Sequence, residues 1–219
     1  MNLINQSELL GLGNLPPQAP ERMGVKSAMR ANTGIVSTTN ATGKAMFEQM
    51  MYLLPAEIQQ AIRGGQLQLV DEILYSAKEV KEMRDFYLME SGDNKDVGVT
   101  NVDKQKIAAN KWTLLCGIQL LSAKTAADKF EVCNELILNG EFELNVGSTV
   151  IVPNISCTVF NTDDRTDILP GLWLGFDPQF ITPNTEIKPR LKLADTPPKT
   201  GNTIAKVYFA MHCVSVEKN

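Results

Sequence analysis

The sequence has few of the residues that carry most enzyme chemistry. His212 is the only histidine among 219 residues. A Ser-His-Asp, Cys-His or multi-histidine metal arrangement would therefore depend on this one side chain. His212 lies in a segment whose alternation predicts a strand, so we expect it to be a packed structural residue. We expect no enzymatic activity, no metal site and no cofactor.

The four cysteines are widely spaced, and none belongs to a C-x-x-C pair of the kind found in zinc and redox motifs. They are Cys116, Cys133, Cys157 and Cys213. We expect buried free thiols in a reducing compartment, with disulfides as the alternative. The first residues lack the basic and apolar regions of a signal peptide, which predicts synthesis in the cytoplasm. Because no apolar run reaches the roughly 18 residues of a spanning helix, any membrane contact would be peripheral.

Two short motifs suggest ligand sites, but neither has the required pattern. Gly43 and Lys44 resemble the end of a phosphate-binding loop, yet Thr38 stands where that loop needs glycine and Ala45 where it needs Ser or Thr. Acidic clusters occur at residues 93–96 and 163–167. The second could hold a weak structural cation, but it lacks the residue order of a calcium loop. We expect both clusters to be solvated turns.

Residues 1–43 have the composition of an extended arm. Three prolines occur between residues 16 and 20, and residues 33–42 are rich in Ser, Thr and Asn, without a sustained helix or strand period. All charged residues between 22 and 44 are basic, although the formal net charge of the chain is −4. They are Arg22, Lys26, Arg30 and Lys44. Two interpretations stay open: the arm contacts nucleic acid, lipid or acidic neighbours through Arg22, Lys26 and Arg30, or it is a solvated linker.

Residues 44–65 are predicted to form a broken amphipathic helix. Apolar residues recur at steps of three and four along one face. They are Phe47, Met51, Leu54, Ile58 and Ile62. Proline cannot continue a helix, so Pro55 predicts a break at Leu54 and a second short helix that starts at Pro55 as its first-turn residue. We expect the apolar face to pack in the core or against another subunit, and we take these five residues as candidate assembly contacts.

Residues 66–219 are predicted to form one β domain of about eight strands. Apolar residues mark strands over residues 66–80, 84–90, 114–120, 142–146, 149–152, 172–176, 187–193 and 204–216, most of them by alternation. Within these strands, Leu114, Cys116, Ile118 and Leu120 are expected to share one face. Strands of this length and spacing are typical of a sandwich or jelly roll. The predicted fold class is all-β: a single jelly-roll-like β sandwich with an N-terminal extended arm and a short broken helix.

Local signals within this domain predict particular turns. Asn139-Gly140, between apolar runs, predicts a type I′ hairpin, and Gly147-Ser148 predicts a second hairpin. Asp71 interrupts the apolar face of the first strand and predicts a bulge or an exposed end. Prolines in this region are expected in turns, edge strands or bulges, among them Pro178 and Pro189.

Several segments resemble β-rich virion proteins of bacteriophages, in particular the jelly-roll capsid proteins of tailless icosahedral phages. They are residues 67–75, 97–101, 113–119, 139–144, 172–174 and 180–187. The resemblance covers roughly residues 66–216 and rests on strand order and turn sequences. It implies a shell-building role, self-association and an interior or lateral position for the arm, and it implies no catalytic residues. A double jelly roll would need considerably more chain, so the major, minor, vertex and spike roles all stay open.

The expected function is that of a structural subunit of a bacteriophage virion. Its partners would be copies of itself, other virion proteins and, through the arm, nucleic acid or membrane lipid. A carbohydrate-binding or host-attachment module is the alternative, and it would use clustered exposed aromatic residues. Aromatic content is only 6%, so this alternative ranks second, and an enzyme ranks third.

Overall fold

The computed structural model describes residues 40–80, 83–125, 127–161, 173–197 and 204–219. The candidate arm contacts Arg22, Lys26 and Arg30 lie outside the described residues, and so does the acidic cluster at residues 163–167.

Two helices precede the sheets. Helix α1 spans Asn40–Met50, a single 3-10 turn spans Met51–Leu53, and helix α2 spans Ala56–Arg63. Leu54 is extended, with φ −79° and ψ 157°, and Pro55 precedes α2, so the break lies where the sequence predicts it. The start of α1 corrects the expected boundary, because residues 40–43 belong to the helix and not to the arm. Low helix propensity in this stretch hid the start, which is held by packing of Gly43 against the sheet.

Eight strands form two four-stranded antiparallel sheets. They are β1 (Leu67–Glu79), β2 (Asp85–Tyr87), β3 (Thr113–Ala123), β4 (Glu141–Val146), β5 (Thr149–Ser156), β6 (Leu174–Ile181), β7 (Ile187–Lys192) and β8 (Lys206–Lys218). The sheet orders are β1-β8-β3-β6 and β2-β7-β4-β5. The first strand therefore pairs with the eighth, the second with the seventh, the third with the sixth and the fourth with the fifth. This nested pairing is that of a jelly roll, and it confirms the predicted fold class.

The main core lies between the two sheets. Phe142 of β4 packs against Phe209 of β8, with ring centroids 5.5 Å apart, and against Phe160 at 5.6 Å. All three rings are buried, together with Leu144 and Leu191. Burial of apolar side chains from both inner faces is what holds the two sheets together.

The predicted hairpin at Asn139-Gly140 is wrong. A one-turn helix, α3 (Glu135–Leu138), precedes these residues, and the side chain of Asn134 accepts a hydrogen bond from the N–H of Leu136 at its start. Asn139 closes this turn with φ −80°, outside the region that a type I′ turn requires. The hairpin at Gly147 is confirmed, since Val146 pairs with Thr149 and Gly147 has φ 59°.

The predicted bulge at Asp71 is also wrong. Strands β1 and β8 pair without interruption through Asp71 and Val214. The bulge lies instead in β3, where the register shifts between Leu115 and Gly117. It separates residues that were expected to share one face, because Leu114 and Cys116 pack on the opposite side of the sheet from Ile118 and Leu120.

Two prolines take positions inside strands. Pro178 lies in β6, an edge strand, as expected. Pro189 lies in β7 between two neighbouring strands, contrary to expectation. Its carbonyl accepts a hydrogen bond from the N–H of Leu88, just past the end of β2. The backbone nitrogen of Pro189, which carries no hydrogen, faces the β2 side as well. The pairing of β2 with β7 ends at Tyr87 and Arg190, so no hydrogen bond within the paired strands is lost.

Candidate functional site

The outer face of the β1-β8-β3-β6 sheet, turned away from the main core, is the candidate site. A second apolar cluster lies on it, which we call the outer cluster: Phe47, Leu54, Leu114, Cys116, Val214 and Val216. Phe47 of α1 meets Phe180 of β6 edge to face, with ring centroids 5.0 Å apart. Helices α1 and α2 therefore cover one half of this face, and their apolar side chains bind them to it.

The structure brings all five candidate assembly residues of the helices to this cluster. Phe47 and Leu54 are buried in it, and Met51, Ile58 and Ile62 are partly buried at its rim. The apolar surface of Phe47 and Leu54 is thus already covered within the chain. Direct contact with another copy is left to the rim residues.

Tyr52 and Leu53, which are not among the five candidate assembly residues, are better placed for contact. Tyr52 is 73% exposed and Leu53 is 55% exposed, side by side in the 3-10 turn between the two helices. Both are large apolar residues, yet neither belongs to the apolar stripe formed by residues 47, 51, 54, 58 and 62. Large apolar residues outside the buried stripe of a helix are the sequence signal that could have identified them. Adjacent exposed apolar side chains at a projecting turn suit a protein-protein contact.

A small polar group lies at the middle of the outer face, beneath the first turns of α1. It consists of Asp71 of β1, His212 of β8 and Lys44 of α1. Lys44 Nζ lies 3.4 Å from Asp71 Oδ2, while Asp71 Oδ1 is buried and has no hydrogen-bond partner. Gly43 passes over this group so closely that a Cβ on it would lie 2.9 Å from Val214 Cγ2 and 3.5 Å from Asp71 Oδ1. Close packing of the helix onto the sheet depends on this glycine.

The electrostatics of this group are those of a packed interior. Burial lowers the pKa of His212, and the nearby Asp71 opposes that shift only in part. Burial raises the pKa of the Cys116 thiol to about 11, and Asp71 adds to that shift. A nucleophilic cysteine needs a lowered pKa. The Cys116 thiol has a raised pKa and its Sγ donates to the carbonyl oxygen of Leu114, so it is poorly suited to that role. Within the described ranges, no three His, Cys, Asp or Glu residues are grouped so as to hold a metal ion.

Aromatic rings line the half of the outer face that the helices leave uncovered. Tyr208 alternates with the buried core residues Val207 and Phe209 and so points outward. It stacks on Tyr75 with ring centroids 5.7 Å apart and contacts Phe130 at 5.1 Å. We call these three the aromatic row.

Trp173 lies beside the polar group of the outer face. Its ring is 5.6 Å from that of His212. Gly117 of β3 makes room for it, because a Cβ there would be 3.3 Å from Trp173 Cβ and 3.2 Å from the carbonyl oxygen of Leu174. His212 is thus enclosed by an aromatic ring on one side and by Asp71 on the other.

An ionic network closes the end of the same sheet where β1 begins. Lys111 Nζ lies 2.8 Å from Glu72 Oε2 and 2.6 Å from Glu217 Oε1. Glu72 Oε2 also accepts a hydrogen bond from Ser215 Oγ at 2.9 Å. Burial alone would lower the pKa of Lys111, but hydrogen bonds to Glu217 and Glu72 outweigh it and raise the pKa. Glu72 and Glu217 therefore both form ion pairs with Lys111 of the same chain.

Two clefts of the described surface have linings that are about half polar. One of about 310 Å³ is lined by residues that include Lys124, Asp128 and Glu131. Another of about 370 Å³ is lined by residues that include Arg84, Asp85 and Lys192. Asp85 is paired with Arg190, and that hydrogen bond holds its pKa below the ordinary value. Neither cleft has the apolar lining typical of a small-molecule site.

The described acidic cluster, residues 93–96, is a turn held by its own chain. Asp93 Oδ1 lies 3.1 Å from Lys78 Nζ, and Asp93 Oδ2 accepts a hydrogen bond from the N–H of Glu90. The Asp93 carboxylate is thus bonded to a lysine and to a backbone N–H of its own chain, as expected for a turn.

Comparison with known proteins gives no match, either to a protein-family model or to a curated protein sequence. Within the described ranges, none of the helices has the length and apolar character needed to cross a membrane.

Proposed function

We propose that this protein is a structural subunit of a bacteriophage virion that assembles with copies of itself and with other virion proteins. The observation that carries the proposal is the nested strand pairing, first with eighth through fourth with fifth. Jelly rolls of this kind are used in viral capsids and also in lectins and cupins, so the fold alone does not decide between them. The resemblance of residues 66–216 to phage virion proteins favours the first use.

The chemistry of the outer face also favours a structural role. The Cys116 thiol, the His212 imidazole and the Asp71 carboxylate lie where helix α1 packs on the sheet, and burial raises the pKa of the thiol, which disfavours the reactive thiolate. The exposed apolar pair Tyr52 and Leu53 projects from the same helices. A rigid sandwich that presents an apolar turn is a reasonable building block for an assembly.

The test compares the full chain with a chain lacking residues 1–39. The deletion stops before Asn40, because Gly43 is packed against Val214 and removing it would disturb the outer cluster. We expect the full chain to form large particles by light scattering and negative-stain electron microscopy. We expect the shortened chain to keep its β circular dichroism and fail to assemble. A full chain that stays monomeric at high concentration would refute the proposal.

The arm contacts need a separate measurement. Reversing Arg22, Lys26 and Arg30 to Glu is expected to weaken binding to single-stranded DNA or to anionic vesicles, with a smaller salt dependence. The matched control reverses Lys95, Lys104 and Lys124, three exposed lysines of the β domain. Equal loss in both variants would show that net charge, and not the arm, is responsible.

A carbohydrate-binding or host-attachment module is the second candidate, and the aromatic row is the observation that favours it. Aromatic rings stack on sugar faces. Tyr75 and Tyr208, however, stack on each other, and all three rings of the row are partly buried, so little free ring face is left for a sugar. A glycan array distinguishes the two candidates, since binding that is lost in Tyr208→Ala would favour the second.

A further inference from the structure

The four edge strands of the two sheets differ in how they are protected against pairing with another chain. Strand β2 has three residues, β5 contains Pro153, and β6 contains Pro178. Short edges and prolines are devices that prevent unwanted strand addition. Strand β1 has 13 residues and no proline. Among the described edges, it is the one best suited to accept another strand.

Part of the β1 edge is covered by residues 96–101 of the same chain. The N–H of Ala77 donates to the carbonyl of Val99 at 2.6 Å, and the N–H of Asn101 donates to the carbonyl of Tyr75 at 3.3 Å. The Asn101 side chain accepts from the N–H of Tyr75 and donates to the carbonyl of Ile73, both at 2.7 Å. The backbone groups of residues 73, 75 and 77 therefore point to the free edge.

The rest of the β1 edge is open. Successive residues of a strand direct their N–H and C=O groups to opposite sides, so Leu67, Leu69 and Asp71 also point to the free edge. In the described part of the chain, no group pairs with these backbone atoms on that side. The N–H of Ile73 is open as well, and its side chain is 47% exposed. We call residues 67–73 of β1 the open edge.

We propose that the open edge pairs antiparallel with the open edge of a second copy, around a twofold axis at Val70. In this register, residue 67 of one copy meets residue 73 of the other, and residue 69 meets residue 71. All four outward residues of each copy are then paired, with the Ile73 carbonyl accepting from the N–H of the partner's Leu67 as well as from its own Asn101. Such an isologous contact closes at two copies. It deepens the proposed function and rests on it, because it names one contact through which the subunits associate.

Two observations favour a second copy over an unrelated extended peptide. The twofold register places the exposed Ile73 side chain against Leu67, at the rim of the outer cluster of the partner, where it becomes covered. The two acids of the open edge are already paired within their own chain, Asp71 with Lys44 and Glu72 with Lys111. Two copies can therefore meet without like charges repelling each other.

The first test uses two variants of the open edge and one control in the full chain. Ile73→Lys places a charge on the edge, and Leu69→Pro removes an outward N–H without removing a hydrogen bond to β8. Val97→Lys is the matched control, since Val97 is 95% exposed in the covering loop and lies off the open edge. We expect both edge variants to keep their circular dichroism and to dissociate at least about tenfold more readily in light scattering, and the control to match the wild type.

A cross-link tests the register. Two Val70 residues facing each other across the axis would have Cα atoms about 4.5 Å apart, within reach of a disulfide. Val70→Cys is expected to give a covalent dimer under mild oxidation, while Val150→Cys, on the β5 edge, is not.

The outcomes separate this inference from the proposed function. Assembly of the wild type together with unchanged assembly of Ile73→Lys and Leu69→Pro would overturn the open-edge pairing and leave the virion role intact. Assembly that these variants impair, without a Val70→Cys dimer, would overturn the stated register. A wild type that remains monomeric would overturn both.

Discussion

Gly140 lies against the backbone of Lys192, so close that a Cβ on residue 140 would overlap the Lys192 carbonyl oxygen. It would also come within 3.0 Å of the carbonyl oxygen of Ile137 and 3.2 Å of Leu193 Cα. All three atoms belong to backbone, which cannot move aside as a flexible side chain can. This contact joins α3 to β7 at the start of β4, and glycine is required there for space.

Gly140→Ala is therefore expected to destabilise the protein by about 3 kcal/mol, the upper part of the usual range for overpacking. The measurement is urea unfolding followed by tryptophan fluorescence. Gly92→Ala is the control, because a Cβ on Gly92 meets nothing within 4 Å. We expect that variant to unfold within about 0.5 kcal/mol of the wild type. Equal stability of the two variants would show that the chain near Gly140 relaxes freely.

The same glycine explains why the sequence misled at this point. Asn-Gly between apolar runs is a strong local hairpin signal. Here Asn139 and Gly140 instead end a helical turn that Asn134 caps, and Gly140 packs against the backbone of Lys192. Lys192 lies 52 positions after Gly140 in the sequence, so no local pattern could indicate this contact. The number of strands and the all-β class could be predicted because they depend on local alternation.

The bulge at Cys116 escaped prediction for a different reason. Alternation reveals a face only when one side of a strand is polar, and β3 is apolar on both sides, with nine of its 11 residues buried. Its outward residues are apolar because helices α1 and α2 cover them. The candidate site was accordingly predictable only in part: the apolar helix face was visible, while the polar group, the aromatic row and the open edge all depend on nonlocal strand pairing.

Lys44 and Asp71 provide a test of how α1 is held. Lys44→Met leaves the half-buried carboxylate of Asp71 without its cation, and we expect a loss of about 1 kcal/mol in the free energy of unfolding. In an Asp71→Asn background the same change should cost almost nothing. A double-mutant cycle by urea unfolding measures the coupling. Additive effects would show that the pair contributes nothing to the attachment of the helix.

The four cysteines should be unreactive in the folded protein. All are buried and free. Burial raises the pKa of Cys157 to about 12 and also raises the pKa of Cys133 and Cys213. Because the thiolate is the reactive form, we expect no reaction with Ellman's reagent at pH 8 within minutes, and four equivalents after unfolding in urea. A rapid reaction in the native state, or fewer than four thiols after unfolding, would contradict the packing.

His212 should make stability depend on pH in a narrow window. Burial lowers its pKa in the folded protein, so the folded state binds this proton less readily than the unfolded chain does. The stabilisation is fully present above the unfolded pKa of about 6.5 and is lost as the pH falls below it, by at most about 1.4 kcal/mol per pH unit. The charge that acts on the imidazole is that of Asp71 of β1, which pairs with Lys44 of α1, and the Trp173 ring lies 5.6 Å from the imidazole ring.

The measurement is urea unfolding of the wild type and of His212→Gln at pH 7.5, 6.5 and 5.5. Because the chain contains one histidine, few other groups titrate in this range, and the difference between the two proteins isolates it. We expect the wild type to lose stability between pH 6.5 and 5.5 and the variant to lose less. Since the imidazole lies beneath α1, acid should also loosen that helix from the sheet, which lower protection factors against hydrogen exchange in residues 43–50 at pH 5.5, corrected for the intrinsic exchange rate, would show. Parallel pH profiles for the two proteins would mean that His212 takes up its proton equally in the folded and unfolded states, and that its burial between Trp173 and Asp71 has no energetic consequence.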